Sequence, residues 1–364
     1  MASLKLHRHG KHMISGIFFI LLAALTFYAV FHGNDMDEVI RAIEKIRPWY
    51  LFAAALLGLF FVGAEGIMIW YLLRALNRAV GMLRCVRYSF IGFFFSGITP
   101  SATGGQPMQL YYMKKDGLKM SESTVVLMTV AVVYKFVLVL MGAGMLLFFY
   151  RDLCSYLGGY LGLYFLGLFL NIAVVAVLLF VMVSPGVFEG LVLRAERFLV
   201  RLHILKASES RINNLKGFVE RYREAVRFFL AHKRKIAAVI AFTVLQRLSV
   251  FFLTYVIYRG FALEGTGALT VVVLQASVYV AVDMLPLPGA QGITELMYKQ
   301  VFLGIFPGSV LTASMCVTRG INFYFLLIVS LLVTLWSYLS DKRKNCIILE
   351  NKNLSYKSSS GFKE

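Results

Sequence analysis

Six runs of this chain are apolar for long enough to cross a bilayer: Ile14 to Phe31, Pro48 to Leu73, Thr124 to Tyr150, Tyr160 to Val183, Ile236 to Tyr258 and Val310 to Tyr338. A hydrocarbon core about 30 Å thick needs about 20 such residues in a helix. Of the 364 residues, 59% are hydrophobic and 15% charged, which excludes a large soluble helical core. The reading is an all-α polytopic membrane protein whose integral part takes up residues 1–340. The basic start and first apolar run resemble a signal peptide, but no small-residue cleavage site precedes Asn34, so a retained first span is expected. Residues 341–364, basic and Ser-rich, read as a disordered cytoplasmic tail.

Two shorter apolar pieces interrupt this pattern, each joined to a run of helix breakers. The first run is Gly97-Ile98-Thr99-Pro100-Ser101-Ala102-Thr103-Gly104-Gly105-Gln106-Pro107. The preceding limb, Val86 to Ile98, reaches only about 20 Å as a helix, too short to cross. The second run is Pro286-Leu287-Pro288-Gly289-Ala290-Gln291-Gly292-Ile293-Thr294-Glu295, between Ala268–Leu285 and the short limb Leu296–Phe306. Non-helical backbone at membrane depth is tolerated only where protein or a water-filled cavity satisfies it. Both runs are therefore expected to be re-entrant tips lining a site, with Thr99, Pro100, Gly104, Gly105 and Gln106 on one and Pro286, Pro288, Gly289 and Gly292 on the other. The Gly104-Gly105 pair allows close backbone approach, and a helix starting at Gln106 would aim free N–H groups at an anion.

The formal charge of +18 is first a topology signal, because Lys and Arg collect in cytoplasmic loops. Between Ser184 and Lys235 there are 12 basic residues against 5 acids. A lone crossing by Val86–Ile98 would place that loop outside; a re-entrant path places it inside. The sum is six full spans, two re-entrant hairpins opening to opposite faces, and both termini cytoplasmic. That is an inverted-repeat-like arrangement, as in transporters whose broken helices meet near the midplane. Residues 184–235 read as a helical hairpin with apolar seams at Leu191, Ala195, Phe198, Leu202 and Leu205 and at Ile212, Leu215, Val219, Tyr222, Val226 and Phe229. It packs on itself, lies on the anionic inner leaflet, or docks a partner. Nucleic acid is disfavoured, since topology accounts for the charge.

Ionisable residues within spans are costly and are functional candidates by default. The inventory is Glu65, Lys135, Arg247, Asp283, Glu295, Lys299 and Arg319. As a substrate site, Lys135, Arg247 and Arg319 would attract a phosphate, arginine best through bidentate donation. Glu65, Asp283 and Glu295 would balance that charge or meet an amine. As structure, the same residues would pair internally. All six histidines fall in loops or termini, the four cysteines are scattered, and neither HExxH nor GxSxG occurs. No metal site, cofactor or catalytic residue is expected.

The run Gly97 to Tyr112 together with Pro286 to Glu295 resembles the lysylphosphatidylglycerol synthase transmembrane-region family, the flippase-type membrane domains of multiple peptide resistance factor proteins and their stand-alone relatives. The first motif is similar to that family's Pro-rich, Gly-Gly segment, and the second to its Pro-x-Pro-Gly-Gly-x-Gly-x-x-Glu element, with Ala290 where the second Gly is usual. Arg319 is similar to an arginine of the family's last span. The resemblance spans about residues 10 to 340. It implies a lipid translocase of the inner (cytoplasmic) membrane, moving an anionic or aminoacylated phospholipid of the lysyl-phosphatidylglycerol type between leaflets. The family label implies an alternative, phosphatidylglycerol lysyltransferase, linked to resistance to cationic antimicrobial peptides. The soluble acyltransferase-like domain of full-length relatives is not recognisable in this sequence, so moving the lipid is favoured over making it. A non-transporting docking partner is a third reading. The partners expected are a phospholipid, the bilayer, and a separate lipid-modifying enzyme or a second copy of the chain.

Overall fold

The computed structural model describes residues 36–99, 102–201, 209–285 and 287–340. The expected first span Ile14–Phe31, the tail 341–364, Pro100, Ser101 and Pro286 lie outside the described residues. Among the described residues all the regular structure is helical, with no strand. α1 (Met36–Glu44) leads to α2 (Pro48–Ala75), where Pro48 occupies the first turn and loses no helical hydrogen bond. α3 (Met82–Gly97) and α4 (Gly105–Lys115) flank the first broken run, and α5 (Met120–Phe148) follows.

The link between the expected spans Thr124–Tyr150 and Tyr160–Val183 is itself helical. α6 (Tyr150–Leu157) and a 3-10 turn (Gly158–Tyr160) run into α7 (Leu161–Val183). α8 (Pro185–Arg201) and α9 (Glu209–Ala231) form the basic hairpin, and α10 (Lys233–Gly260) re-enters the bundle. α11 (Ala268–Val282), a 3-10 turn (Pro288–Ala290) and α12 (Ile293–Val301) form the second broken element. α13 (Gly308–Arg319) continues through a π-helical turn (Gly320–Phe325) into residues 326–340.

Five helical stretches among the described residues are long and apolar enough to span a membrane: Pro48–Ala75, Met120–Phe148, Tyr150–Val183, Lys233–Gly260 and Val310–Ser340. This is the polytopic all-α architecture expected. The helices of each broken element are too short to join that set, and each pair folds back on itself. Along the first, Ser96 Oγ donates to Ala102 O, Gly92 lies against Gln109, and Tyr88 Oη donates to Asp116 at the open end. Arg87 pairs with the same carboxylate. α3 and α4 are therefore antiparallel, closed by an ion pair at their base.

Two apolar cores carry the fold. One gathers Tyr88, Ile91, Tyr112 and Met113 of the first broken element with Met68, Leu72, Val126 and Val133 of α2 and α5. The other gathers Val271, Leu274, Val278, Tyr298 and Val301 of the second with Leu138, Leu168 and Phe251. α2 and α10 pack along each other, and Gln246 Nε2 donates to Phe61 O between them at 2.7 Å.

The basic hairpin packs both on itself and on α5. Val219, Tyr222, Val226 and Phe229 are buried as the α9 seam predicts, and Tyr222 Oη donates to Met128 Sδ at 3.5 Å. The expected α8 seam is turned outward, with Phe198 60% exposed and Leu191 47%. The inward stripe of α8 is instead Phe188 and Glu196, both buried, with Val192 half-buried between them, because the Phe188 ring stacks on Tyr222 at 3.7 Å between centroids. Leu202 and Leu205 lie outside the described residues.

Candidate functional site

The first tip is held by its own side chains. Thr99 Oγ1 donates to Phe95 O at 2.6 Å and accepts from Gly104 N at 2.9 Å, which closes the turn after α3. Ala102 adopts a left-handed backbone, φ 53°. α4 begins at Gly105, one residue earlier than expected. A Cβ on Gly105 would collide with Ser96 Oγ and the Gly92 carbonyl, so the close approach this glycine permits is to α3. Gln106 is exposed. One turn on, Gln109 faces inward, buried, and its Nε2 donates to Glu65 Oε1 on α2 at 2.7 Å.

The second tip is tied to the last span. Gly289 has φ 59° and Ala290 φ 50°, so the chain reverses through two left-handed residues. Gly292, φ 84°, caps α12, and its N–H donates to Glu295 Oε2 at 2.8 Å. That reach back from the third helical position satisfies an otherwise orphan donor. The other carboxylate oxygen, Glu295 Oε1, accepts from Arg319 Nε at 2.8 Å, and Arg319 NH2 donates to Gly289 O at 2.8 Å. The Arg319 guanidinium also lies over the Phe323 ring, 4.8 Å from its centroid, at the start of the π-helical turn. π-turns inside helices concentrate at functional sites.

The remaining charges sit on the helices around these elements. Lys135 Nζ on α5 is ion-paired with Asp283 at the end of α11. Arg247 on α10 is 0% exposed and stacks on the Tyr134 ring, its guanidinium carbon 3.1 Å from the centroid. None of its Nε, NH1 and NH2 atoms has a hydrogen-bond partner among the described residues. The carboxylates whose charges act on it are Asp283 and Glu65. Tyr279 lies in the field of both Arg247 and Arg319 and so links the two halves. Gln291 is buried with neither amide atom bonded among the described residues, and there Gln275 and Asn322 each bury an unpaired carbonyl oxygen.

The structure thus brings six of the seven ionisable candidates into one interior belt and sorts them. Lys135 is engaged by Asp283 and Arg319 by Glu295, while Glu65 is held by an amide. Arg247 has only an aromatic face beneath it. Lys299, also in the inventory, is half-buried on α12. Tyr134 and Gln109 were missed: an aromatic beside an intramembrane lysine and a glutamine one turn past a tip are common in any helix. The tip residues Thr99, Gly104, Gly105, Gly289 and Gly292 hold the turns, and Pro288 lies in the 3-10 turn. Among the described residues no cluster of His, Cys, Asp and Glu is placed to hold a metal.

Burying an arginine without acceptors costs several kcal/mol, and stacking on one ring returns about 2. The belt can therefore offer a bidentate donor to an anion, with carboxylates beside it. No curated protein matches the chain at a significant level. Residues 13–330 match the family described as the lysylphosphatidylglycerol synthase transmembrane region. With most of its length covered by that match, this multi-pass, lipid-related membrane protein belongs to the lysylphosphatidylglycerol synthase transmembrane-region family.

Proposed function

We propose that the chain is a lipid translocase that moves a phospholipid head group through the interior belt while the acyl tails stay in the bilayer. The observation that carries this reading is Arg247: a fully buried guanidinium, stacked on Tyr134, with three nitrogens that have no acceptor among the described residues. A head-group phosphate is the proposed acceptor. Lys135–Asp283 and Arg319–Glu295 cancel each other's charge, which leaves Arg247 and Glu65 as the opposed pair. That pair suits a head group bearing both a phosphate and an ammonium, as an aminoacylated phosphatidylglycerol does.

In this account the two broken elements are re-entrant from opposite faces, and alternate exposure of the belt comes from their rocking against the spans. The bridges from Asp283 and Glu295 fasten the second element to α5 and to the last span and keep it in register. The chemistry calls for no metal or cofactor. Lysyl transfer is the weaker reading, because the belt offers cation and anion binding and no group placed as a nucleophile.

Two measurements on the full chain separate the readings. In liposomes of inner-membrane composition, purified protein should accelerate movement of a head-group-labelled aminoacyl phospholipid between leaflets. Mass spectrometry of lipids from cells expressing the chain alone should show no new lysyl-lipid. Unchanged leaflet exchange, or new lysyl-lipid, would overturn the translocase reading.

A further inference from the structure

A second anion site is suggested by a cleft remote in sequence from the belt, where α5 begins and α9 crosses it. The cleft has a volume of about 270 Å³ and is lined by Lys119, Met120, Ser121, Phe218 and Arg221. α5 is 29 residues long and no side chain caps its start. The first hydrogen bond into the helix is Ser123 N to Lys119 O at 3.0 Å, so the amides of Met120, Ser121 and Glu122 precede the intrahelical ladder. Those N–H groups and the helix dipole favour an anion there.

A second observation is independent of the helix terminus. Ser121 is 1% exposed, and its Oγ has no hydrogen-bond partner among the described residues although it lines the cleft. Lys119 and Arg221 supply positive charge at the rim, both exposed. The one carboxylate in the first turn, Glu122, does not oppose an anion with its full charge. Both of its oxygens accept from Arg78, at 2.6 and 2.7 Å, and Lys119 Nζ stands 3.8 Å away. The hydrogen bonds from Glu122 hold the Arg78 guanidinium above its usual range. Met120 and Phe218 give the cleft apolar walls, and the span that begins at Met120 puts it at the membrane boundary.

We propose that this cleft binds a phosphate group, with the amides of residues 120–122 and Ser121 Oγ as donors and Lys119 and Arg221 as counter-charges. The apolar walls and the membrane-edge position suit the phosphodiester of a phospholipid, and a soluble phosphate shares the same chemistry. None of the belt residues takes part, so the site stands whether or not the chain translocates lipid.

Hydrogen–deuterium exchange on the full-length protein in a maltoside detergent, which carries no phosphate, reads the donors directly. Adding phosphatidylglycerol should slow exchange of the amides of 120–122 roughly tenfold, the effect of one charge-assisted hydrogen bond. The double variant Lys119→Gln/Arg221→Gln, altered only at exposed positions, should lose that slowing. Ser121→Ala should weaken it, and Arg247→Lys in the belt should leave it intact. Slowing by phosphatidylglycerol but not by inorganic phosphate assigns the site to lipid, and slowing by both assigns it to phosphate in general. No slowing with either probe, or equal slowing in the double variant, would overturn the proposal.

Discussion

At Gly289 two constraints meet in one residue. Its φ of 59° belongs to the left-handed region, and a Cβ there would strike the Phe323 ring. Left-handed backbone costs an L-residue about 1–2 kcal/mol, and overpacking about 1–3 more. Gly289→Ala should therefore destabilise the protein by about 2–4 kcal/mol in detergent thermal denaturation, within those ranges. Its neighbour Ala290, with φ 50°, already bears that conformation with a side chain. Ala290→Gly should leave stability unchanged or raise it by up to about 1 kcal/mol. The buried Arg319–Glu295 pair predicts a second contrast. Arg319→Gln strands a buried carboxylate and should cost about 3–5 kcal/mol, whereas replacing both partners with methionine should recover only part of that loss in the same assay, because Gly292 N–H and Gly289 O then lose their partners. Which residues matter at this scale was legible, because an ionisable side chain in an apolar run stands out. Which ones touch was not. Lys135 and Asp283 are 148 residues apart, and nothing local couples them.

The helices themselves could be read from periodicity, but the face each presents could not always. In α8 two stripes compete at helical spacing: Leu191, Ala195, Phe198 on one side and Phe188, Val192, Glu196 on the other. The more apolar stripe is the one left outward, since the stack of Phe188 on Tyr222 decides the rotation, and that partner sits on another helix. Tyr222→Ala should cost about 3–5 kcal/mol and open the 184–235 hairpin to protease, while Phe198→Ser should change unfolding by no more than about 0.5. The first broken element shows the same limit. Its Gly, Thr and Pro residues marked a turn, yet the inward glutamine is Gln109 rather than Gln106, because Gln109 lies against Gly92 of α3 and donates to Glu65 of α2, while Gln106, in the first turn at the tip, is exposed.

Over the whole molecule, the spans were legible because twenty apolar residues have few other destinations, and the match to the family agrees with them. The sidedness was inferred from charge, and it makes its own prediction. A membrane-impermeant maleimide should label Glu264→Cys, in the loop after α10, on intact cells, and Glu220→Cys on α9 only after permeabilisation. Labelling of both from the same side would refute the proposed topology. The convergence of six charges into one belt was not visible in the sequence, because it depends on how α2, α5, α10, α11, α12 and α13 pack. Arg247 is where that belt leaves a guanidinium with no acceptor among the described residues. The decisive measurement is leaflet exchange of an aminoacyl phospholipid in liposomes containing wild-type protein, Arg247→Lys or Arg247→Gln. Exchange should fall at least tenfold in Arg247→Gln and less in Arg247→Lys, which keeps the charge but loses the bidentate fork. Equal exchange in all three, with each protein folded, would contradict a phosphate-binding role for this arginine.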